Sequence, residues 1–296
     1  MRYQGPNVDS YPGERRGPAV PSIGGSADPG VRSETPQKQH TVPQRVSVLG
    51  YQILNVPAQV LFSTICDEFS LGRCRSFVFL NPHTVVLANS DDELARALDS
   101  PTEAICDGVG LALASLVLNR ERLHRIWGWD FFIGLSKALS DRGLGRVFFL
   151  GGHEEFAGVL VDKYRSHFPG IQKVEVFVPP HKAEFDDGDI LDMARRIKAF
   201  NTDVLWIGVG SPKQEKLMRR LYDVCPVRCA AAIGAVFDFY SGRVPLAPLW
   251  VREMGLQWAY RLLLEPKRLW RRTFVSGPLF VSQVLRDLLS PRQRAR

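Results

Sequence analysis

From residue 46 onward the chain alternates short apolar runs with stretches in which apolar residues recur at three- and four-residue spacing. The runs predict β-strands near 46–54, 75–80, 103–106, 146–150, 173–178, 203–208 and 228–234. The periodic stretches predict helices over 57–70, 83–98 with a break, 109–119, 130–142, 154–167, 187–200 and 212–223. In "DILDMARRIKAF", for example, Ile190, Met193, Ala194, Ile197 and Phe200 share one helical face. Such regular alternation predicts an α/β fold, a Rossmann-like and mostly parallel sheet flanked by helices. No internal repeat is visible.

The two ends depart from this pattern. Residues 1–44 hold seven prolines and six glycines, and cannot bury enough surface to offset the entropy of ordering. They are expected to be disordered. The segment 248–289 sets Trp250, Trp258 and Trp270 among leucines and closely spaced arginines, the pattern of a basic amphipathic helical appendage. The expected organisation is a disordered segment 1–44, an α/β domain 45–245 and a basic, membrane-proximal appendage 246–296.

Charge sharpens that division. The formal net charge is +7, yet Arg243–Arg296 carries eleven Lys or Arg against three Asp or Glu, a local +8. Such a segment suits an anionic membrane surface, a phosphorylated substrate or nucleic acid; it also fits a solvated tail or an apolar face packed on the main domain. Hydrophobic content of 45% and charged content of 23% are those of a globular protein. The cysteines at 66, 74, 106, 225 and 229 include no Cys-x-x-Cys pair and mostly have apolar neighbours. They argue against a zinc site or a disulfide framework and point to buried thiols in a reducing cytoplasm. No signal peptide opens the chain, and no run of 18 apolar residues is available to span a bilayer.

Polar residues gather where the apolar strands run out. "FVFLNPH" ends in Asn81 and His83, "EAICDG" in Asp107 and Gly108, and "VFFLGG" in Gly151 and Gly152, while "AAAIGAVFDFYSG" passes Gly234 to Asp238. Ligands of open α/β sheets bind beyond the carboxyl ends of the strands, so these positions are candidates for one crevice. Turn chemistry alone also places Gly, Asn and Asp there. "IGVGSPKQE" is the richest stretch. Gly208 and Gly210 permit a tight turn and close backbone approach, and Lys213 sets a positive charge beside a helix N-terminus. A phosphate site fits; so does a capping box of Ser211 and Gln214, with Pro212 in the first helical position.

Asp107 is a candidate general base or the N-cap of the helix beginning near Val109, and Asp238 carries a similar ambiguity. "DGD" at 187–189 is spelled like a metal–diphosphate site, but it opens an amphipathic helix where acids complement the dipole. The six histidines show no paired ligand spacing. No metal and no cofactor are expected.

In order, "NPH", "DGVG", "LGG", "IGVGSPKQE", "GAVFDFYSG" and "WAYRLLLEPKRLWRR" resemble the motifs of the WecG/TagA/CpsF family, glycosyltransferase family 26, over roughly residues 46–275. The resemblance implies a bacterial enzyme that transfers a sugar, with inversion and without metal, from a UDP-sugar to a polyprenyl-diphosphate-linked saccharide. It implies a peripheral protein on the cytoplasmic face of the plasma membrane, serving exopolysaccharide, capsule or teichoic-acid synthesis. By the same resemblance Asp107 is the base and Gln214 contacts substrate, with Asn81 and Gly108 at the site. Arg261, Arg268 and Arg271 match the arginines that close over the diphosphate. Three positions depart from the family pattern: Phe79 stands where many members carry Thr, Leu246-Ala247-Pro248 replaces Arg-Ala-Pro, and Gln257-Trp258 replaces Glu-Trp.

The implied partners are the UDP-sugar donor, the lipid-linked acceptor and an anionic membrane surface, not nucleic acid; self-association into a homo-oligomer stays open. Two readings compete. One is a nucleotide-cofactor oxidoreductase using the Gly-rich strand ends, although no Gly-x-Gly-x-x-Gly opens a helix after the first strand. The other is a nucleic-acid-binding module that rests on the basic tail alone.

Overall fold

The computed structural model describes residues 44–99 and 101–289. Strands β1 (Gln44–Val48), β2 (Tyr51–Asn55), β3 (Arg75–Leu80), β4 (Thr102–Cys106), β5 (Arg146–Gly151), β6 (Lys173–Phe177), β7 (Val204–Gly208) and β8 (Cys229–Ala232) form one sheet in the order β1-β2-β4-β3-β8-β7-β5-β6. Every neighbouring pair is parallel except β1–β2. The α/β, mostly parallel sheet read from the alternation of elements is therefore the fold. One strand reading is corrected: the single strand expected over 46–54 is a hairpin. Leu49 and Gly50 both take positive φ, 50° and 86°, which lets a two-residue turn follow the twist of its strands. An apolar run with one glycine does not announce that reversal.

The first helices are α1 (Ala58–Glu68), α2 (Pro82–Ala88), α3 (Asp92–Ala97), α4 (Val109–Asn119) and α5 (Gly128–Ser140). They are followed by α6 (Glu154–His167), α7 (Asp187–Ala199), α8 (Lys213–Val224) and α9 (Val236–Ser241). Side chains alternate across the strands, so each strand feeds two apolar layers. Phe77 and Phe79 join Phe131, Phe132, Phe149 and Trp206 on one face; Val78 and Leu80 join Leu111, Leu150, Ile207 and Leu217 on the other. Burial on both faces is why the strands read as continuous apolar runs.

The C-terminal segment forms α10 (Leu249–Glu253), α11 (Gln257–Leu264), α12 (Pro266–Phe274) and α13 (Ser276–Leu289). Helix α13 lies on α2 and α4, where Phe280 is buried and Val284 packs on the same apolar layer. The chain from Gln44 onward forms one compact unit. The expectation of disorder over 1–44 concerns residues outside the described set, apart from Gln44, which opens β1. No described helix is long and apolar enough to cross a membrane.

Register brings the strand ends together. Leu80 pairs with Cys106, Ile207 with Ala232 and Gly151 with Gly208, so β4, β3, β8, β7 and β5 finish side by side in that order. Between β5, β7 and α9 the spacing is set by missing side chains. A Cβ on Gly208 would lie 2.5 Å from the Phe237 ring, and one on Gly151, where φ is +118°, would lie 2.5 Å from the Gly208 carbonyl oxygen. Phe237 also reaches the Cβ position of Gly152 at 3.4 Å. Gly151→Ala is expected to destabilise the fold by about 2–4 kcal/mol, from clash and left-handed strain together. Gly210→Ala, whose Cβ would meet nothing within 4 Å, is expected to cost only the strain, about 1–2 kcal/mol. Denaturant midpoints of the two variants check the difference.

Candidate active site

Asp107 stands at the end of β4, and the local sequence explains how it is held. Asn81 caps α2 by accepting from the His83 and Thr84 amides, with Pro82 in the first turn. Gly110 lets α4 start against that turn, since a Cβ there would lie 2.5 Å from Pro82 Cγ. The Asp107 amide donates to the Leu80 carbonyl at 2.8 Å, and the Ile126 amide donates to that of Cys106 at 3.1 Å, which draws Arg125 alongside. The N-cap of α4 is Gly108, at φ 86° with no side-chain cap bond, so the alternative reading of Asp107 as a helix cap does not hold. The Asp107 side chain is half-buried and makes no hydrogen bond among the described residues. Burial pushes its pKa up to about 6 and Asp130 adds to this, against the opposing charges of Arg272, Arg261 and Arg125.

Two of those cations come from the C-terminal helices. Arg261, on α11, lies 5.3 Å over the Phe239 ring and donates to Glu265 at 3.2 Å. Arg272, on α12, bears electrostatically on Asp107, His83 and Glu215 alike. The neighbouring Arg271, which the resemblance singled out, is exposed and sits 5.4 Å over the Trp270 ring. Arg268 lies one turn before Arg272 on α12, but its side chain is outside the described residues. Spacing of Arg268 and Arg272 at i, i+4 is the sequence signal that could have found Arg272. His83 reaches the same region by joining α2 to α13, its Nδ1 2.8 Å from Ser276 Oγ. Burial, with Arg272 adding, pulls the His83 pKa down to about 4, so the ring is neutral at physiological pH.

The motif at the start of α8 departs from the capping reading. No side-chain cap forms there, so the capping box of Ser211 and Gln214 is corrected: Gln214 turns inward instead. Its buried Nε2 donates to Glu215 Oε1 at 3.0 Å and to the Ala232 carbonyl at 3.3 Å. Burial raises the pKa of Glu215. The Lys213 ammonium donates to the Lys182 carbonyl at 2.6 Å and lies 4.8 Å over the Phe185 ring. Gly108 and Gly210 leave open space at their Cβ positions, whereas Gly151 and Gly208 are explained by close packing. Asp238 is held by Arg243 at 3.2 Å and His153 at 3.5 Å. The "DGD" acids belong to a helix start, where Asp186 and Asp189 form a capping box and Lys182 pairs with Asp189 at 2.7 Å. No group of three or more His, Cys, Asp or Glu among the described residues is placed to hold a metal ion.

Phe79, where the family pattern has Thr, is a core residue packed on Phe131 at 5.3 Å between ring centroids. Gln257 has an amide nitrogen and oxygen buried without a partner, and so does Arg261 Nε one turn later. Five of the eight buried side-chain polar atoms without a hydrogen-bond partner among the described residues belong to Gln214, Glu215, Gln257 and Arg261. Orphaned buried polar atoms are costly, and these belong to the first turn of α8 and to α11.

An α/β sheet with a carboxylate at a strand end, faced by arginines from C-terminal helices, has the arrangement of a group-transfer enzyme. The chain belongs to the Glycosyl transferase WecG/TagA/CpsF family, whose sequence pattern matches residues 46–294. It is similar to a Bacillus subtilis (strain 168) protein named N-acetylglucosaminyldiphosphoundecaprenol N-acetyl-beta-D-mannosaminyltransferase, at 29% identity over 70% of this chain and 78% of that one. The protein of the same name from Bacillus spizizenii is 30% identical over 71% and 78% of the two chains. That from Staphylococcus aureus (strain NCTC 8325) is 24% identical over 81% and 92%.

Proposed function

We propose that this protein is an inverting, metal-independent glycosyltransferase. It moves a sugar from a UDP-sugar to a polyprenyl-diphosphate-linked saccharide in bacterial surface-polysaccharide synthesis, at the cytoplasmic face of the plasma membrane. The relatives' names support the lipid-linked acceptor and a sugar of the N-acetylhexosamine type. The observation that carries the reading is Asp107 at the β4 strand end, faced by Arg261 and Arg272.

In this mechanism the Asp107 carboxylate takes the proton of the acceptor hydroxyl as that oxygen attacks the anomeric carbon. The bond from that carbon to the diphosphate breaks on the opposite face, and the electron pair leaves with UDP. Arg261 and Arg272, with Arg268 beside them in sequence, stabilise the growing negative charge, aided by the N-terminus of α8. Gln214 and Gln257 offer amide atoms to the sugar, and the open backbone at Gly108 and Gly210 admits it. Exposed Trp250, Trp258, Trp270 and Phe274 on α10–α12 suit an anionic membrane surface.

A screen of UDP release over several UDP-sugars, with a short-chain polyprenyl-diphosphate N-acetylglucosamine acceptor, tests the reaction. Release that needs the acceptor and persists in chelator is expected; the absence of acceptor-dependent release with every UDP-sugar would overturn the reading. Lys213→Ala is expected to weaken UDP about 10-fold while leaving uridine nearly unchanged, the ammonium exchanging its bond to Lys182 for one to a phosphate. Equal losses for the two ligands would make Lys213 a brace of the 182–185 loop only.

A further inference from the structure

Helix α4 has no polar face turned to water. Its sequence, VGLALASLVLN, contains no charged residue, and its two polar side chains both bond inward. Ser115 donates to the Glu121 carbonyl at 3.0 Å and Asn119 to that of Ser47 at 2.7 Å. What remains outside is Leu113, 55% exposed, Leu116, 42%, and Val117, 52%. These positions fall at i, i+3 and i+4, so they form one stripe. A surface helix ordinarily presents charged or polar side chains there.

The stripe has neighbours of two kinds. Directly after α4 the chain exposes Arg120, Arg122 and Arg125. Beside it lies α13, whose own outward residues Val281, Leu285 and Leu288 are exposed at helical spacing. Aliphatic side chains bordered by arginines are the composition of a surface that sits in a bilayer interface, chains in the acyl boundary and guanidiniums at the headgroups. A two-fold contact with a second copy fits the same surface poorly, because it would bring like-charged arginine sets together.

We propose that the outer face of α4, continuous with that of α13, seats the protein on an anionic bilayer. The main α/β body then carries part of the membrane contact, not only the basic C-terminal helices. The proposal rests on the glycosyl-transfer reading for its purpose, because α4 begins immediately after Asp107 and Gly108. An eleven-residue helix is about 16 Å long, so seating this one fixes the height of the carboxylate above the lipid, where a lipid-linked diphosphate is found.

The test uses the full chain carrying Leu113→Gln, Leu116→Gln and Val117→Gln. Sedimentation is measured with vesicles of equal parts phosphatidylglycerol and phosphatidylcholine. Binding is expected to fall about 10-fold or more, with transfer to a water-soluble acceptor, thermal unfolding and mass by light scattering unchanged. A second variant, Arg120→Asn with Arg122→Gln, leaves the stripe intact. It is expected to lose about 5-fold per charge on the same vesicles and nothing on phosphatidylcholine alone. Either variant pelleting like the wild type on the mixed vesicles overturns the proposal. So does a triple variant that keeps its lipid binding but changes its mass, which assigns the stripe to a protein partner. Failure of the wild type to transfer any sugar would count against the proposed reaction and leave the vesicle result to stand by itself.

Discussion

Asp107→Asn is expected to transfer sugar about 10²–10⁴-fold more slowly than the wild type while binding UDP almost as well, the range for a lost general base. The substitution is nearly isosteric, and the side chain it replaces makes no hydrogen bond among the described residues, so folding should be unaffected. The pH profile gives an independent check. A base works in its ionised form, and burial has pushed the Asp107 pKa up to about 6. Wild-type kcat/KM should therefore fall as pH drops through about 6 and level off above it. The Asn variant should lose that acidic limb. Full turnover by a folded Asp107→Asn protein would remove Asp107 from the role of base.

Arg272→Gln is expected to reduce turnover about 10²–10³-fold, the scale of losing one charged stabiliser of a developing anion in a partly desolvated site. It should also move the acidic limb upward, because the Arg272 charge lowers the Asp107 pKa and its removal lets burial act unopposed. Arg271→Gln provides the control. That neighbour is exposed over Trp270, and its loss should change turnover by less than about 3-fold. Thermal unfolding of both variants separates a site effect from a loosened α12. Equal losses at 271 and 272 would show that the helix acts through its overall charge and not through one placed guanidinium.

The fold was legible because its physics is local and repetitive. Strands covered on both faces must be apolar throughout, and helices on a sheet must show one apolar stripe; both signals survive in a single sequence. Strand ends were legible for the same reason, which is why Asn81, Asp107 and Gly208 stand out in the sequence. What escaped depends on distant pairs. The Leu49–Gly50 reversal is set by backbone sign, not by hydropathy. Gln214 turned from capping to the interior because Ala232 and Glu215 offer it acceptors there. Choosing Arg272 over Arg271 requires knowing which side of α12 faces the sheet, and the bond between His83 and Ser276 spans 193 residues. Gly208 reads in the sequence as half of a tight turn with Gly210, since its packing partner, Phe237, lies on a later element.

Phe237 also decides where sugar preference can be re-engineered. The ring fills the gap over Gly208, and the Gly208 backbone fills that beside Gly151, so a mutant library at 151 or 208 would return mostly destabilised chains whatever sugar was selected for. In the 181–186 segment and α10–α12 the buried anchors among the described residues are Phe185, Val251 and Leu269, while Lys182, Glu184, Trp250 and Trp258 stay exposed or half-buried. Selection for a new donor should draw its successful variants from those stretches, leaving the glycines and Phe237 as they are.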